Sequence, residues 1–186
     1  MINRRLLIFW SILSTIVFIV FTLIGYMLDS SIARFIESLF RSPLIHIRYD
    51  GLLFKITLFI LIFIKNVTTA TLNVAFGPLL GVFPVMSILI NGIIIGSVVR
   101  EVYLSKGLTY VILGLAPHGV IELPTFIYSS ALGLYLAQEA FRLGLTNQDF
   151  IITYRYAIKL IIKVIAPLLL IAAFIEAFIT SALLGI

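Results

Sequence analysis

Three ionisable side chains in this sequence lie inside apolar stretches, where a charged group is expensive. His118 and Glu122 are four residues apart, so a helix places both on one face. Glu176 lies within the segment Ala-Phe-Ile-Glu-Ala-Phe-Ile. Ionisable residues within a membrane are, by default, candidates for a functional site. The sequence therefore predicts a buried polar centre formed by His118, Glu122 and Glu176.

Three roles are open to these side chains. They can hydrogen-bond across helices and hold the fold, or they can line a wet pathway for a proton or an ion. They can also bind a divalent metal such as zinc, with His118 and Glu122 as two ligands. Catalytic zinc takes about three protein ligands, so Glu176, Glu139 or a second subunit would complete the set. The His-Glu-x-x-His signature lacks its second histidine, and the sequence indicates no catalytic residue.

Neutral polar and small residues form a second group of candidates. Amide side chains in apolar runs join transmembrane helices through hydrogen bonds of about 0.6–2 kcal/mol each. Glycines spaced four apart allow two helices to approach closely, and prolines loosen backbone groups. A dimer face is the alternative interpretation for the glycines. The predicted helix-packing or cavity-lining residues are Asn66, Asn73, Asn91, Gly92, Gly96, Pro117 and Pro124.

The composition requires a membrane around these residues. Of the 186 residues, 62% are hydrophobic and 11% are charged, against roughly 25% charged in a soluble domain. These values exclude a soluble enzyme, a disordered chain and, because cysteine is absent, a disulfide scaffold. The net charge of +5 favours anionic lipids over nucleic acid, because basic residues flank apolar runs. We expect a multi-pass protein of the cell membrane that contacts lipids, a second copy or other membrane proteins.

The apolar runs predict one all-α transmembrane domain of about five spans, each needing about 20 residues. The uncharged run 66–99 is too long for one crossing and must turn near Gly77. This turn leaves Lys65 inside the second span, with its charge snorkelling toward the surface, unless a new helix begins at Asn66. The predicted spans are 6–28, 51–74, 78–99, 118–141 and 164–184.

Two further segments accompany these spans. Residues 108–116 are predicted to form a half-helix that re-enters the membrane and breaks at Pro117, since so short a segment crosses about half a bilayer. Broken backbone at that depth must face protein or water. Residues 31–41 combine an apolar stripe with a charged face, which predicts a short amphipathic helix in the membrane interface.

Basic residues indicate the orientation of the chain. Arg4 and Arg5 precede the first span and predict a cytoplasmic N-terminus. Arg155, Lys159 and Lys163 share one helical face, which suits the anionic cytoplasmic leaflet; a solvated helix face is the equal alternative.

Several motifs, in this order, resemble the stage II sporulation protein M family of integral membrane proteins. They are a small-residue run after Asn66, the element Asn91-Gly92-Ile-Ile-Ile-Gly96, the element Pro-His118-Gly-Val-Ile-Glu122-Leu-Pro124, and the segment around Glu176. The likeness covers the chain from about residue 60 onward. The resemblance implies a membrane protein: the bacterial sporulation member works with peptidoglycan-degrading partners in engulfment, and many relatives occur where no engulfment exists.

These patterns predict a non-enzymatic membrane scaffold or transport-associated component with a buried His/Glu centre. Two alternatives stay open. One is an intramembrane metal-dependent hydrolase that uses His118 and Glu122, and the other is a small dimeric channel or transporter.

Overall fold

The computed structural model describes residues 2–28 and 51–184, so the predicted amphipathic helix 31–41 lies outside the described residues. Within them the chain forms five helices that are long and apolar enough to cross a membrane. The helices are α1 (Arg4–Met27), α2 (Leu52–Ala75), α3 (Val82–Lys106), α4 (Leu108–Leu143) and α5 (Gln148–Leu183). For the described residues this confirms the predicted all-helical fold with about five candidate spans.

In place of the predicted half-helix 108–116 and its break, α4 runs without interruption for 36 residues. Pro117 and Pro124 lie inside it and each removes one backbone hydrogen bond. The Thr125 hydroxyl donates to the carbonyl of Ile121 at 2.6 Å, close to the backbone hydrogen bond that is missing at Pro124. In apolar surroundings a continuous helix keeps its other backbone groups paired, and this outweighs the bond lost at each proline.

The helix α5 changes its winding along its length. It is α-helical over Gln148–Leu160, π-helical over Ile161–Ile165, α-helical over Ala166–Phe174, π-helical over Ile175–Thr180 and α-helical over Ser181–Leu184. The first π-helical segment ends two residues before Pro167, which has no N–H to donate within a regular α-turn.

The start of α5 at Gln148 lies well before the predicted start at 164. The prediction followed the uninterrupted apolar run, whereas the helix begins where the Asn147 side chain accepts from the backbone N–H of Asp149 at 2.8 Å. Its first turns are amphipathic and bury Phe150 and Ala157 in the core. An apolar stripe is therefore enough to keep this polar segment helical.

Glycines bring α1 and α3 into backbone contact. A Cβ atom added at Gly96 would overlap the Thr22 carbonyl, and one at Gly25 would overlap the backbone of Ile93. Gly92 also lies against α1. Contacts between small residues of this kind let transmembrane helices associate closely. Gly92 and Gly96 are thus used within one chain, which leaves the dimer-face interpretation without support at these positions.

The helix α4 contacts each of the other four helices. Against α2, Gly133 lies directly on the backbone of Gly77 and Asn73. The Asn73 side-chain amide donates to Ser130 Oγ at 2.9 Å and to Ser129 Oγ at 3.3 Å. We call Asn73, Ser129 and Ser130 the asparagine–serine contact. The central position of α4 means that polar groups along it face protein on several sides.

The outer surface of the bundle is apolar. One face of α1 exposes more than half of the surface of each of its large apolar residues, namely Ile8, Ile12, Ile16, Ile19 and Leu23. In a soluble protein such a face would require a covering partner, whereas lipid covers it in a membrane. The chain is a multi-pass membrane protein.

Candidate functional site

The polar centre forms where α4 meets the last part of α5. His118 and Glu122 lie one turn apart on the continuous α4, and Glu176 lies in the second π-helical segment of α5. The nearest His118 and Glu176 atoms, Nε2 and Oε2, are 3.9 Å apart. One ligand atom from each of the three residues lies within 4.8 Å of the others. The three residues singled out by the sequence therefore converge, and we keep the name polar centre for them.

The second π-helical segment supplies a further contact to the imidazole. Thr180 is four residues after Glu176, and its Oγ1 lies 3.4 Å from His118 Nδ1. Both ring nitrogens of His118 therefore face groups on α5. π-Helical turns are rare and occur often at functional sites, because the widened turn re-aims side chains. Thr180 was not among the residues predicted from the sequence, although its spacing from Glu176 places it on the same helix face.

The helix α2 brings a positive charge and an amide to the same place. Lys65 lies near enough to Glu122 and Glu176 for electrostatic interaction with both carboxyls, and the Asn66 side chain lies beside the Glu122 carboxyl. Lys65 is itself exposed, as expected for a snorkelling side chain, while Asn66 is partly buried. α2 is continuous through these residues, so the alternative helix start at Asn66 is wrong.

A small cavity adjoins Glu122. Its volume is about 30 Å³, and one water needs roughly 10–15 Å³ of such volume. The Glu122 Oε2 atom is buried and has no hydrogen-bond partner among the described residues. The lining residues are Asn66, Thr69, Ala70, Asn91, Ile95, Glu122, Leu123, Phe126 and Leu169. The cavity therefore offers a polar, water-sized space against an unpartnered carboxylate oxygen.

The remaining candidate residues lie outside the polar centre itself. Asn73 belongs to the asparagine–serine contact, and the amide of Asn91 donates to the Ser87 carbonyl at 2.8 Å while lining the cavity. Glu139, the alternative third metal ligand, accepts from Arg142 at 2.7 Å instead. Glu176 is thus the acidic residue that accompanies His118 and Glu122.

By residue type the polar centre suits a proton, a water molecule or a metal ion. An imidazole and two carboxylates match the ligands of zinc in catalytic sites. Two ligands of one zinc ion, each at about 2.1 Å, are no more than about 4.2 Å apart. The separations here reach up to 4.8 Å. The centre is therefore slightly wider than a closed zinc site, and its distances suit contacts bridged by a water molecule better.

Comparison with known proteins identifies a relationship at the level of the family. A family model described as Stage II sporulation protein M matches residues 14–181. No curated protein and no solved structure matches the chain. The match extends over most of the five helices and includes all three residues of the polar centre.

Proposed function

Since the chain belongs to the stage II sporulation protein M family, we propose that it is a non-enzymatic, transport-associated membrane protein whose polar centre takes up and releases a cation. The cation that the geometry favours is a proton. The observation that carries this proposal is the convergence of His118, Glu122 and Glu176 from two helices, beside a water-sized cavity.

The charge count at the polar centre supports an exchangeable cation. Glu122 and Glu176 can carry two negative charges, while Lys65 contributes one positive charge nearby. A buried charge without a counter-charge costs several kcal/mol. One additional positive charge balances the centre, and a proton on His118 or on a carboxyl supplies it. Because these groups lie 3.9 Å or more apart, they would pass this proton on through water in the cavity.

Proton flux in reconstituted vesicles tests this function. The full chain is placed in liposomes that hold a pH-sensitive dye, and a membrane potential is imposed. We expect acidification above that of empty liposomes for the wild-type protein and none above empty liposomes for Glu122→Gln. The substitution Glu101→Gln removes an exposed carboxylate on α3 and is the matched control. Equal flux in wild type and Glu122→Gln, or no flux in wild type, would contradict a transport role.

A metal-dependent hydrolase is the second candidate, and it is supported by the position of Glu176, which lies close enough to His118 and Glu122 to act as a third ligand. A metal held by His118, Glu122 and Glu176 would polarise a bound water for attack on a scissile bond. Metal analysis after purification with zinc is the direct test. About one zinc per chain in wild type and its loss in His118→Ala would support this candidate. Equal trace metal in both proteins would eliminate it.

A further inference from the structure

A separate crevice opens at the end of the bundle where α1 begins. Its volume is about 440 Å³, within the roughly 300–1,000 Å³ typical of ligand pockets. It lies between the start of α1, the middle of α4 and the first turns of α5, and it shares no residue with the polar centre. The lining residues are Ile2, Arg4, Leu7, Tyr128, Ile152, Thr153, Tyr156 and Leu160.

A row of positive charge runs along one edge of this crevice. Arg155, Lys159 and Lys163 are exposed, and they share a helical face with the crevice residues Ile152 and Tyr156. The spacing from 152 through 155, 156 and 159 to 163 follows a single helix face. The three basic residues noted in the sequence therefore border a crevice. This position favours a binding role over the alternative of a helix face that is only solvated.

The opposite wall of the crevice adds charge of the same sign. Arg4 lines the crevice from α1, and the exposed Arg5 follows it. In the first α-helical part of α5, Gln148–Leu160, the acidic residue is Asp149, in the first turn, where helix N-termini favour negative charge. Glu139 at the end of α4 is already paired with Arg142. An anion entering between α1 and α5 would thus meet an excess of cations.

The crevice also has an apolar part that a soluble anion would leave unused. Leu7 and Leu160 line it, and Ile152 in its wall is 59% exposed. Tyr156 and Thr153 also line the crevice, and their hydroxyl groups can hydrogen-bond to a polar headgroup. Basic pockets between transmembrane helices on the cytoplasmic side are suited to anionic lipid headgroups. The combination matches a molecule with one anionic end and a long apolar remainder.

We propose that this crevice binds an anionic phospholipid from the cytoplasmic leaflet. Its phosphate lies between Arg4 and the basic face of α5, and its acyl chains lie along Leu7, Ile152 and Leu160. The site is independent of the proposed transport function, because none of its residues belongs to the polar centre.

The single tryptophan of the chain provides a local probe. Trp10 is one helical turn from Leu7, and its indole N–H donates to Gln138 Oε1 at 2.7 Å, which holds the ring in place. The full chain is reconstituted in vesicles that contain brominated phosphatidylglycerol or brominated phosphatidylcholine at equal mole fraction. Quenching of Trp10 fluorescence then reports which lipid lies beside α1. We expect stronger quenching by brominated phosphatidylglycerol.

Substitutions assign this preference to the crevice. Each basic residue near an anionic membrane surface contributes about 1 kcal/mol, so Arg4→Gln and Lys159→Gln should each lower the preference about fivefold. The control is Lys55→Gln. The end of α2 that lies near the crevice is Ala75, whose carbonyl accepts a hydrogen bond from Tyr154 of α5, and Lys55 is about 30 Å from Ala75 along the helix. This control should leave the preference unchanged.

Three results would overturn the proposal. Equal quenching by the two lipids would show that the crevice does not select charge. An unchanged preference in both Arg4→Gln and Lys159→Gln would place the selectivity elsewhere. Loss of the excess quenching on addition of inorganic phosphate at constant ionic strength would assign the site to a soluble anion. Circular dichroism of each variant checks that the helical fold is kept.

Discussion

The asparagine–serine contact and the polar centre lie about two turns apart along α4, yet they are built differently. Each contains one buried oxygen without a hydrogen-bond partner among the described residues, Asn73 Oδ1 in the first and Glu122 Oε2 in the second. In the first region the group is a neutral amide that donates two hydrogen bonds, at a place where Gly133 brings two backbones together. In the second it is a carboxyl beside a cavity and other ionisable groups.

This difference shows that buried polar side chains have two distinct roles in a membrane protein. Neutral side chains in close contact contribute helix association, because their hydrogen bonds are short and cost little desolvation. Ionisable side chains with spaces between them contribute little to packing and are expensive to bury. We therefore expect changes at the first region to alter stability, and changes at the second to alter activity.

The largest effect is expected at the glycine that closes the asparagine–serine contact. Gly133→Ala places a methyl group on the Asn73 carbonyl, where no rotamer can relieve the overlap with backbone. We expect a loss of about 3 kcal/mol or more of unfolding free energy, measured by denaturant unfolding in detergent. The control is Gly119→Ala, one residue from His118, where the nearest atoms are at 3.8 and 3.9 Å and a methyl group fits. Equal destabilisation by the two substitutions would show that the close approach is not the cause.

Intermediate changes in the unfolding free energy are expected when the two side chains with unpartnered oxygens, Asn73 and Glu122, are replaced. Asn73→Ala removes two hydrogen bonds but leaves Ser129 and Ser130 bonded to the Phe126 carbonyl, so a loss of about 1–2 kcal/mol is expected. Glu122→Gln removes a buried charge and should raise the unfolding free energy by up to about 1 kcal/mol. Both values come from the same unfolding assay. If Glu122→Gln destabilises the protein as much as Asn73→Ala, the polar centre is a structural element.

The smallest effect on the unfolding free energy is expected for the interaction between Lys65 on α2 and the polar centre. A double-mutant cycle of Lys65→Gln and Glu176→Gln measures their coupling in the same assay. Because Lys65 is exposed, we expect a favourable coupling below about 1 kcal/mol. The same cycle with Lys65→Gln and Glu101→Gln should give no coupling. Zero coupling in the first cycle would remove Lys65 from the charge count of the centre.

Part of the polar centre could be predicted from the sequence, because charges inside apolar runs are visible there. His118, Glu122 and Glu176 were selected in that way. The sequence left the third metal ligand open between Glu176, Glu139 and a second subunit, because helix spacing relates residues on one helix and not on two. Arg142, three residues after Glu139, donates to that carboxylate and holds it at the end of α4.

The predicted break at Pro117 shows where local rules fail. A proline removes one backbone hydrogen bond, and over a short window this loss is the strongest signal in the sequence. Over the 36 residues of α4 the remaining hydrogen bonds outweigh it. The early start of α5 has a related cause, because its polar first turns are helical only when Phe150 and Ala157 have a core to enter.

The sequence by itself determines that this chain is a helical membrane protein of about five spans, with three ionisable residues inside them and a family relationship. These properties follow from apolar content, helix spacing and motifs, which are local to each segment. The tertiary structure alone decides that Glu176 meets His118, that Lys65 lies near both carboxyls, and that a cavity and a cationic crevice lie between the helices. Contacts between helices depend on how closely two helix backbones approach, as at Gly96 and Gly133. These contacts join residues that are far apart in the chain, so they cannot be derived from one segment of sequence.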